Sequence, residues 1–293
     1  MQQSIGDGKL TYFSKWLLAL TLLWIVIFIG AFETPAQLFI SNWPLILVGF
    51  FGAIIGNMTA IGGGIVFIPV LMFVYKTDPV SALKLAFVSQ AIGMSSGATG
   101  WLQRKQVPLN MLKWTIPPLL LGTAFATFVI HPSPLLVKSL FGPISLLVGI
   151  LTLVTMKRKG TLEMLPQRAM IPVFIISLIG GVITGWVAIG EGEIVAAFCM
   201  LTYGLSANKS IGMGVVLLSV NSIVLALLHA FIFKGVPWDM AIFTMLGCLW
   251  GGRIGPYITQ EFPKLNAKRF FAWVALLDGA LIIFQVVRTY LSK

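Results

Sequence analysis

Acidic side chains are rare in this chain: there are nine among 293 residues, and charged residues of either sign make up only 10% of it. With 58% hydrophobic residues and a mean hydropathy of +0.96, too little polar surface remains to solvate a globule of this size. A soluble protein is excluded, and the lipid bilayer is the expected surrounding. Cysteine is nearly absent. Cys199 and Cys248 stand singly in apolar stretches with no histidine nearby, so neither a disulfide framework nor a metal site such as zinc is expected. No HExxH, P-loop or dinucleotide fingerprint occurs, which leaves an ATP-driven pump or a cofactor enzyme without its machinery; no cofactor is expected. A net charge of +11 would point a soluble chain toward nucleic acid. Here Lys and Arg collect in short connectors between apolar runs, as membrane orientation signals do, and no nucleic-acid partner is expected.

What the chain does hold is a copy of itself. Ala60-Ile61-Gly62-Gly63-Gly64 returns as Ala188-Ile189-Gly190-Glu191-Gly192, each inside an apolar run. Further along, Lys105-Gln106-Val107-Pro108 and Met111 are answered by Lys234-Gly235-Val236-Pro237 and Met240, and Gly122 by Gly251. The repeat is far too long for a solenoid unit. In a membrane chain, glycine-interrupted hydrophobic segments at corresponding places in two halves are the best sequence pointer to a transporter binding site.

Measured against the roughly 20 residues that cross the hydrocarbon core, full spans are expected near Lys15–Phe32, 80–101, 111–130, 136–156, 209–232, 238–257 and 269–288. Two segments, 43–75 and 171–203, are too long for one helix and too short for two spans with a turn. Glycines cut each of them in the middle. They read as broken pairs of half-helices, re-entrant or nearly so, with the glycine motif at the tip. Non-helical backbone at membrane depth must be buried in protein or line a wet cavity. Four parts follow: residues 1–42, an N-terminal tail and extra helix; 43–156, a first repeat; 157–169, a basic loop; and 170–293, a second repeat. The first span resembles a secretory signal, but bulky Trp16 and Trp24 and the poor small-residue pattern before Glu33 speak for an uncleaved anchor.

Basic residues set the orientation. Lys157, Arg158, Lys159 and Arg168 place the central loop in the cytoplasm, with the 102–110 loop (Arg104, Lys105) and the 258–268 loop (Lys264, Lys268) on the same side. The 33–42 loop then lies outside and the N-terminus inside. Lys234, Arg288 and Lys293 fall on the outer side against this bias. One hairpin and three spans per half is an odd number of crossings, so the second half is inverted relative to the first. The expected fold is an all-α polytopic membrane protein built of two inverted repeats, an architecture of many secondary transporters.

The stretch Gly56–Pro69 (GNMTAIGGGIVFIP), its partner Thr184–Val195 (TGWVAIGEGEIV), and the Val-Pro-x-x-Met stretches leading to Gly122 and to Gly251-Gly252-Arg253 resemble the sulfite exporter TauE/SafE family. The likeness runs from about residue 43 to 290. It implies a bacterial-type inner-membrane permease for small oxidised-sulfur or organosulfur anions such as sulfite, sulfoacetate or sulfonates. Members differ in substrate and direction. The chain departs from the family pattern at Glu191 and Glu193, where a glycine-rich, uncharged second motif is the rule.

A half-helix starting near Gly64 points its free N–H groups and positive dipole end at the tip, where backbone donors can hold an oxyanion. Gly62, Gly63 and Gly64, with Gly190 and Gly192 in the second copy, let the backbone turn and approach a ligand, while Asn57 and Thr59 offer side-chain hydrogen bonds. The competing reading is that these glycines only allow tight helix packing. Glu191 and Glu193 would repel an anion. Either they take up protons or bind a cation, coupling transport to it, or Glu191 merely caps the second half-helix.

Other polar residues receive structural readings: an Asp278–Arg253 ion pair, His131 and His229 as interfacial histidines, and Lys84 and Lys209 snorkelling to the interface. Ser89, Gln90, Ser95, Ser96 and Asn221 lie in spans expected to pack against the hairpins. A channel of the same architecture is one alternative. An intramembrane hydrolase is another, drawn from Gly93-Met94-Ser95-Ser96 with His229 as base, a weak pattern. Small-residue faces allow a homodimer without requiring one.

Overall fold

The structure is a computed structural model that describes residues 7–130, 133–155, 160–261 and 267–291. Twelve α-helices occur among them: α1 Asp7–Ala31, α2 Pro35–Asn42, α3 Pro44–Thr59, α4 Gly64–Phe73, α5 Pro79–Gln103, α6 Leu109–Phe128, α7 Pro134–Thr155, α8 Met170–Val187, α9 Glu191–Tyr203, α10 Ala207–Leu227, α11 Trp238–Glu261 and α12 Ala267–Leu291. A short 3-10 turn, Gln167–Ala169, precedes α8, and a π-turn, Leu228–Ile232, extends α10. Prolines open α2, α3, α5 and α7, where a missing N–H costs nothing. Asp78 caps α5 by accepting from the amides of Val80 and Ser81 at 3.0 and 3.1 Å.

Both expected hairpins are present, α3–α4 within 43–75 and α8–α9 within 171–203 extended by one residue. Their breaks share a backbone signature. Ala60 and Ala188 end α3 and α8 in the left-handed region, at φ 62° and 57°, and Gly62 and Gly190 follow at φ 95° and 103°. Lys105 and Lys234 are a further left-handed pair, at φ 56° and 53°, at matching places in the two halves. Sequence duplication thus reappears as duplicated backbone geometry.

The halves interlock by exchange. α3 packs along α11 and its counterpart α8 along α6; α5 lies against α10, and α7 against α12. Glycines bring these pairs close. A Cβ on Gly247 or Gly251 would strike the carbonyls of Ile46 or Phe50, and one on Gly122 or Gly181 those of Leu178 or Leu119. At one end of the molecule Asn42 donates to the Asp239 carbonyl, Thr77 approaches the Met240 sulfur, and Lys84 donates to the Lys234 carbonyl. Both ends of the α3–α4 hairpin therefore lie there. At the opposite end Leu162 donates to Gly204 and accepts from Ser206, Lys209 donates to the Lys105 carbonyl, and Arg104 pairs with Glu261 at 3.2 Å. Both ends of α8–α9 lie at that end. The 102–110 loop and the end of α11 share it, as expected.

Several expectations need correction. Residues 33–42 are not a plain loop: α2 follows α1 at a bend of 119°. Searched over the described residues alone, Pro134–Thr155, Gln167–Val187 and Ala207–Ile232 are both long and apolar enough to cross a membrane, joined by α1 if the bent α1–α2 pair counts as one span. The expected spans 80–101, 111–130 and 238–257 are helical and long, but less apolar, while 269–288 falls within α12. α5 explains why, since most of it is covered by other helices, and a helix sheathed in protein is free to carry Ser, Thr and Gly. Lys157, Arg158, Lys159, Lys264, Lys293 and His131 lie outside the described residues, as do the side chains of Lys268 and Asp278.

Candidate functional site

The two hairpin tips meet. The Gly190 amide donates to the Ile61 carbonyl at 3.3 Å, a main-chain bond between the copies. Around it the packing leaves no room for a side chain. A Cβ on Gly64 would stand 2.6 Å from the Ala188 carbonyl, and one on Gly192 would stand 2.5 Å from the Ala60 carbonyl and 2.8 Å from that of Gly214. Gly62 faces Gln90 and the Ala188 carbonyl, while Gly63 faces the Phe67 ring. Residues 60–64 and 188–193 are all buried, so the tips close on each other in this conformation.

The second tip is held by polar side chains from both long central helices. Gln90 on α5 donates to the Ala188 carbonyl at 2.7 Å and accepts from Ser222 at 3.4 Å. Asn221 on α10 donates through Nδ2 to Glu191 Oε2, and its Oδ1 accepts from Thr123 of α6 at 2.6 Å. Thr184 accepts from the Glu191 amide and donates to the Ile189 carbonyl, both at 3.3 Å, fixing the turn between α8 and α9.

Beside the tips lies a small cavity of about 270 Å³, including its mouth, lined by Thr59, Thr152, Thr155, Glu193, Ala196, Ala197, Met200 and Ile211. It draws on both halves. Thr152 of α7 donates to Glu193 Oε1 at 3.2 Å, and Glu193 is 5% exposed. Thr59 donates to the Ile55 carbonyl and accepts from the Ile61 amide. Its enclosed part has room for about one water molecule, so in this conformation it suits nothing larger than a small ion.

The expected site residues therefore divide. Thr59 and Glu193 line the cavity, and Gly62, Gly63, Gly64, Gly190 and Gly192 form the joint above. Glu191 lies on the far side of α9; its carboxyl reaches across to α10 and does not cap its own helix. Asn57 is elsewhere. Its amide donates to the Ala53 and Gly93 carbonyls, wedged beside Gly97 of α5 and Gly255 of α11. His229 is not interfacial but 2% exposed, stacked on Phe87 at 5.2 Å. Ser95 bonds the Ala91 carbonyl and Ser219, and Ser96 the Leu249 carbonyl, so neither pairs with that histidine. Arg253 donates to Gln103 at 2.5 Å and Thr99 at 3.4 Å. Thr123, Thr152, Thr155 and Thr184 escaped the sequence reading. Threonine in an apolar run carries no signal beyond its hydroxyl, since such residues commonly bond their own helix, as Thr123 and Thr152 also do.

Residues 45–282 match the sequence model of the family described as Sulfite exporter TauE/SafE. The chain is also similar to the probable membrane transporter protein YjnA of Bacillus subtilis (strain 168), with 23% identity over 255 residues, 82% of this chain and 98% of that protein. No solved structure gives a significant match. With twin glycine hairpins inside a match that spans most of its length, the chain belongs to the sulfite exporter TauE/SafE family.

Proposed function

We propose that this membrane transporter carries a small oxidised-sulfur or organosulfur anion, such as sulfite, sulfoacetate or a sulfonate, across a bacterial-type inner membrane by alternating access. The observation that carries the reading is the meeting of two hairpin tips with a shared cavity next to them. Hairpins whose ends lie at opposite ends of the molecule are what two inverted repeats would give, with the end bearing Arg104, Lys105 and Lys209 cytoplasmic. Tips sealed against each other fit an occluded carrier better than a static channel, which needs a continuous wet path.

In this reading the anion sits between Thr59, Thr152 and the N-terminal turn of α9, whose dipole favours negative charge. Glu193 shares that space, so it must be neutral while the anion is bound. A proton taken up at Glu193 would then travel with the substrate. Proteoliposomes tested with sulfite, sulfoacetate, taurine and thiosulfate under imposed pH gradients decide the matter. Saturable, gradient-driven accumulation of one sulfur anion is expected; flux that neither saturates nor follows a gradient would indicate a channel, and indifference to every sulfur compound would remove the substrate class.

A further inference from the structure

One buried carboxyl has less around it than it needs. Glu191 is fully buried; Oε2 accepts from Asn221, and Oε1 has no hydrogen-bond partner. We infer that Glu191 anchors a site for a single positive charge, a proton or an alkali cation, separate from the cavity at Glu193. The inference rests on the transporter reading but not on the identity of the anion.

The neighbourhood is made of oxygens. Thr184 Oγ1 stands at the Glu191 amide, 3.3 Å from the Ile189 carbonyl, and Thr123 Oγ1 lies 2.6 Å from Asn221 Oδ1 and 3.3 Å from the Gly181 carbonyl. A carboxylate, an amide oxygen, hydroxyls and unwound carbonyls at a broken helix form the donor set that coupling cations use in discontinuous-helix transporters.

Among the described residues, no basic side chain pairs with Glu191. Ion pairs among the described residues are Arg104–Glu261 and Lys209–Glu163. On the packed elements, α8 has no titratable group. α9 carries Glu193, which faces the cavity, and Cys199 and Tyr203 farther along. Lys209 opens α10 and holds Glu163 and the Lys105 carbonyl; Lys113 lies over Trp114 in the first turns of α6, and Lys138 sits in the first turns of α7. An uncompensated buried carboxylate is strongly disfavoured, so a proton or metal ion must neutralise it. Such a charge would tie the α8–α9 tip to α10 and α6. The first tip has no equivalent, because Gly63 stands where Glu191 does.

The test needs no sulfur compound. Thermal stability of the purified protein is read against sodium in a choline background at fixed pH, and against pH in sodium-free buffer, with infrared spectra recording the carbonyl stretch of a protonated carboxyl group. Either saturable stabilisation by sodium or a protonated-carboxyl band that fades as pH rises is expected, and Glu191→Gln should abolish whichever is found. Asn221→Ala should weaken sodium affinity roughly 10- to 100-fold if sodium is the ion, or move the fading of the protonated-carboxyl band to higher pH if a proton is, because the lost N–H favours the charged carboxylate; a purely structural role would produce neither shift. A wild-type protein indifferent to both sodium and pH, or a response undiminished in Glu191→Gln, overturns the inference. If Glu191→Gln does not fold, the wild-type band and the Asn221→Ala shift decide. A positive result without sulfite transport would remove the anion reading and leave this site standing.

Discussion

The tips at Ala60–Gly64 and Ala188–Gly192 have one backbone and two chemistries. Their left-handed residues coincide position by position, yet the first is all glycine and aliphatic, and the amide beside it, Gln90, reaches past Gly62 to the Ala188 carbonyl of the second. The second carries Glu191 and Glu193 in the first turn of α9 and is held by Asn221 and Thr152. Duplication preserved what the turn requires of the chain and released what the side chains do. One tip is therefore the frame and the other the place where charge is handled.

The largest effect should come from forcing the tips apart. Gly64→Val and Gly192→Val each drive methyl groups into main-chain carbonyls of the opposite copy or its neighbours, and transport in proteoliposomes should vanish in both while membrane insertion persists. Retained transport in either would mean that the joint does not need to close.

The charged character of the second tip shows when its two amide clamps are removed one at a time. Asn221→Leu strips a buried carboxyl of its donor and should cost about 1.5–3 kcal/mol, whereas Gln90→Leu removes a neutral bond and should cost about 0.5–1.5 kcal/mol. Thermal melting of both variants measures the difference, and equal losses would mean that the carboxyl at this tip is clamped no more strongly than a backbone carbonyl. Glu193→Gln should leave the fold intact and flatten the pH dependence of transport; a profile like the wild type would remove Glu193 from coupling. Smallest is the cross-bracing at the two ends. Lys84→Met loses one exposed bond to a loop carbonyl of the other half, Lys209→Met loses the like bond and its surface ion pair with Glu163, and a change of about 1 kcal/mol or less is expected for each.

Much of this was legible in the residues. The hairpins fall where glycines interrupt apolar runs, because a turn needing positive φ leaves a local mark: Gly62 and Gly190 sit at such angles. Ala60 and Ala188 adopt them too, without a glycine to announce it. Direction was harder to read. Asn57 lies two residues from Thr59, yet one turns into the α5–α11 interface and the other into the cavity, and a helix apolar on every side has no moment from which to take its phase. Gln90 and Asn221 were recognisable as polar residues in spans, but their partners are set by how the halves interlock. Helix α2 was missed because its eight residues are too short for a periodic signal.

The Gly190–Ile61 bond has a consequence for how such a protein can diversify. A seam stitched from peptide groups and glycines does not depend on which side chains line the neighbouring hollow, so residues bordering that hollow can drift toward new cargo while the latch between the hairpins stays as it was.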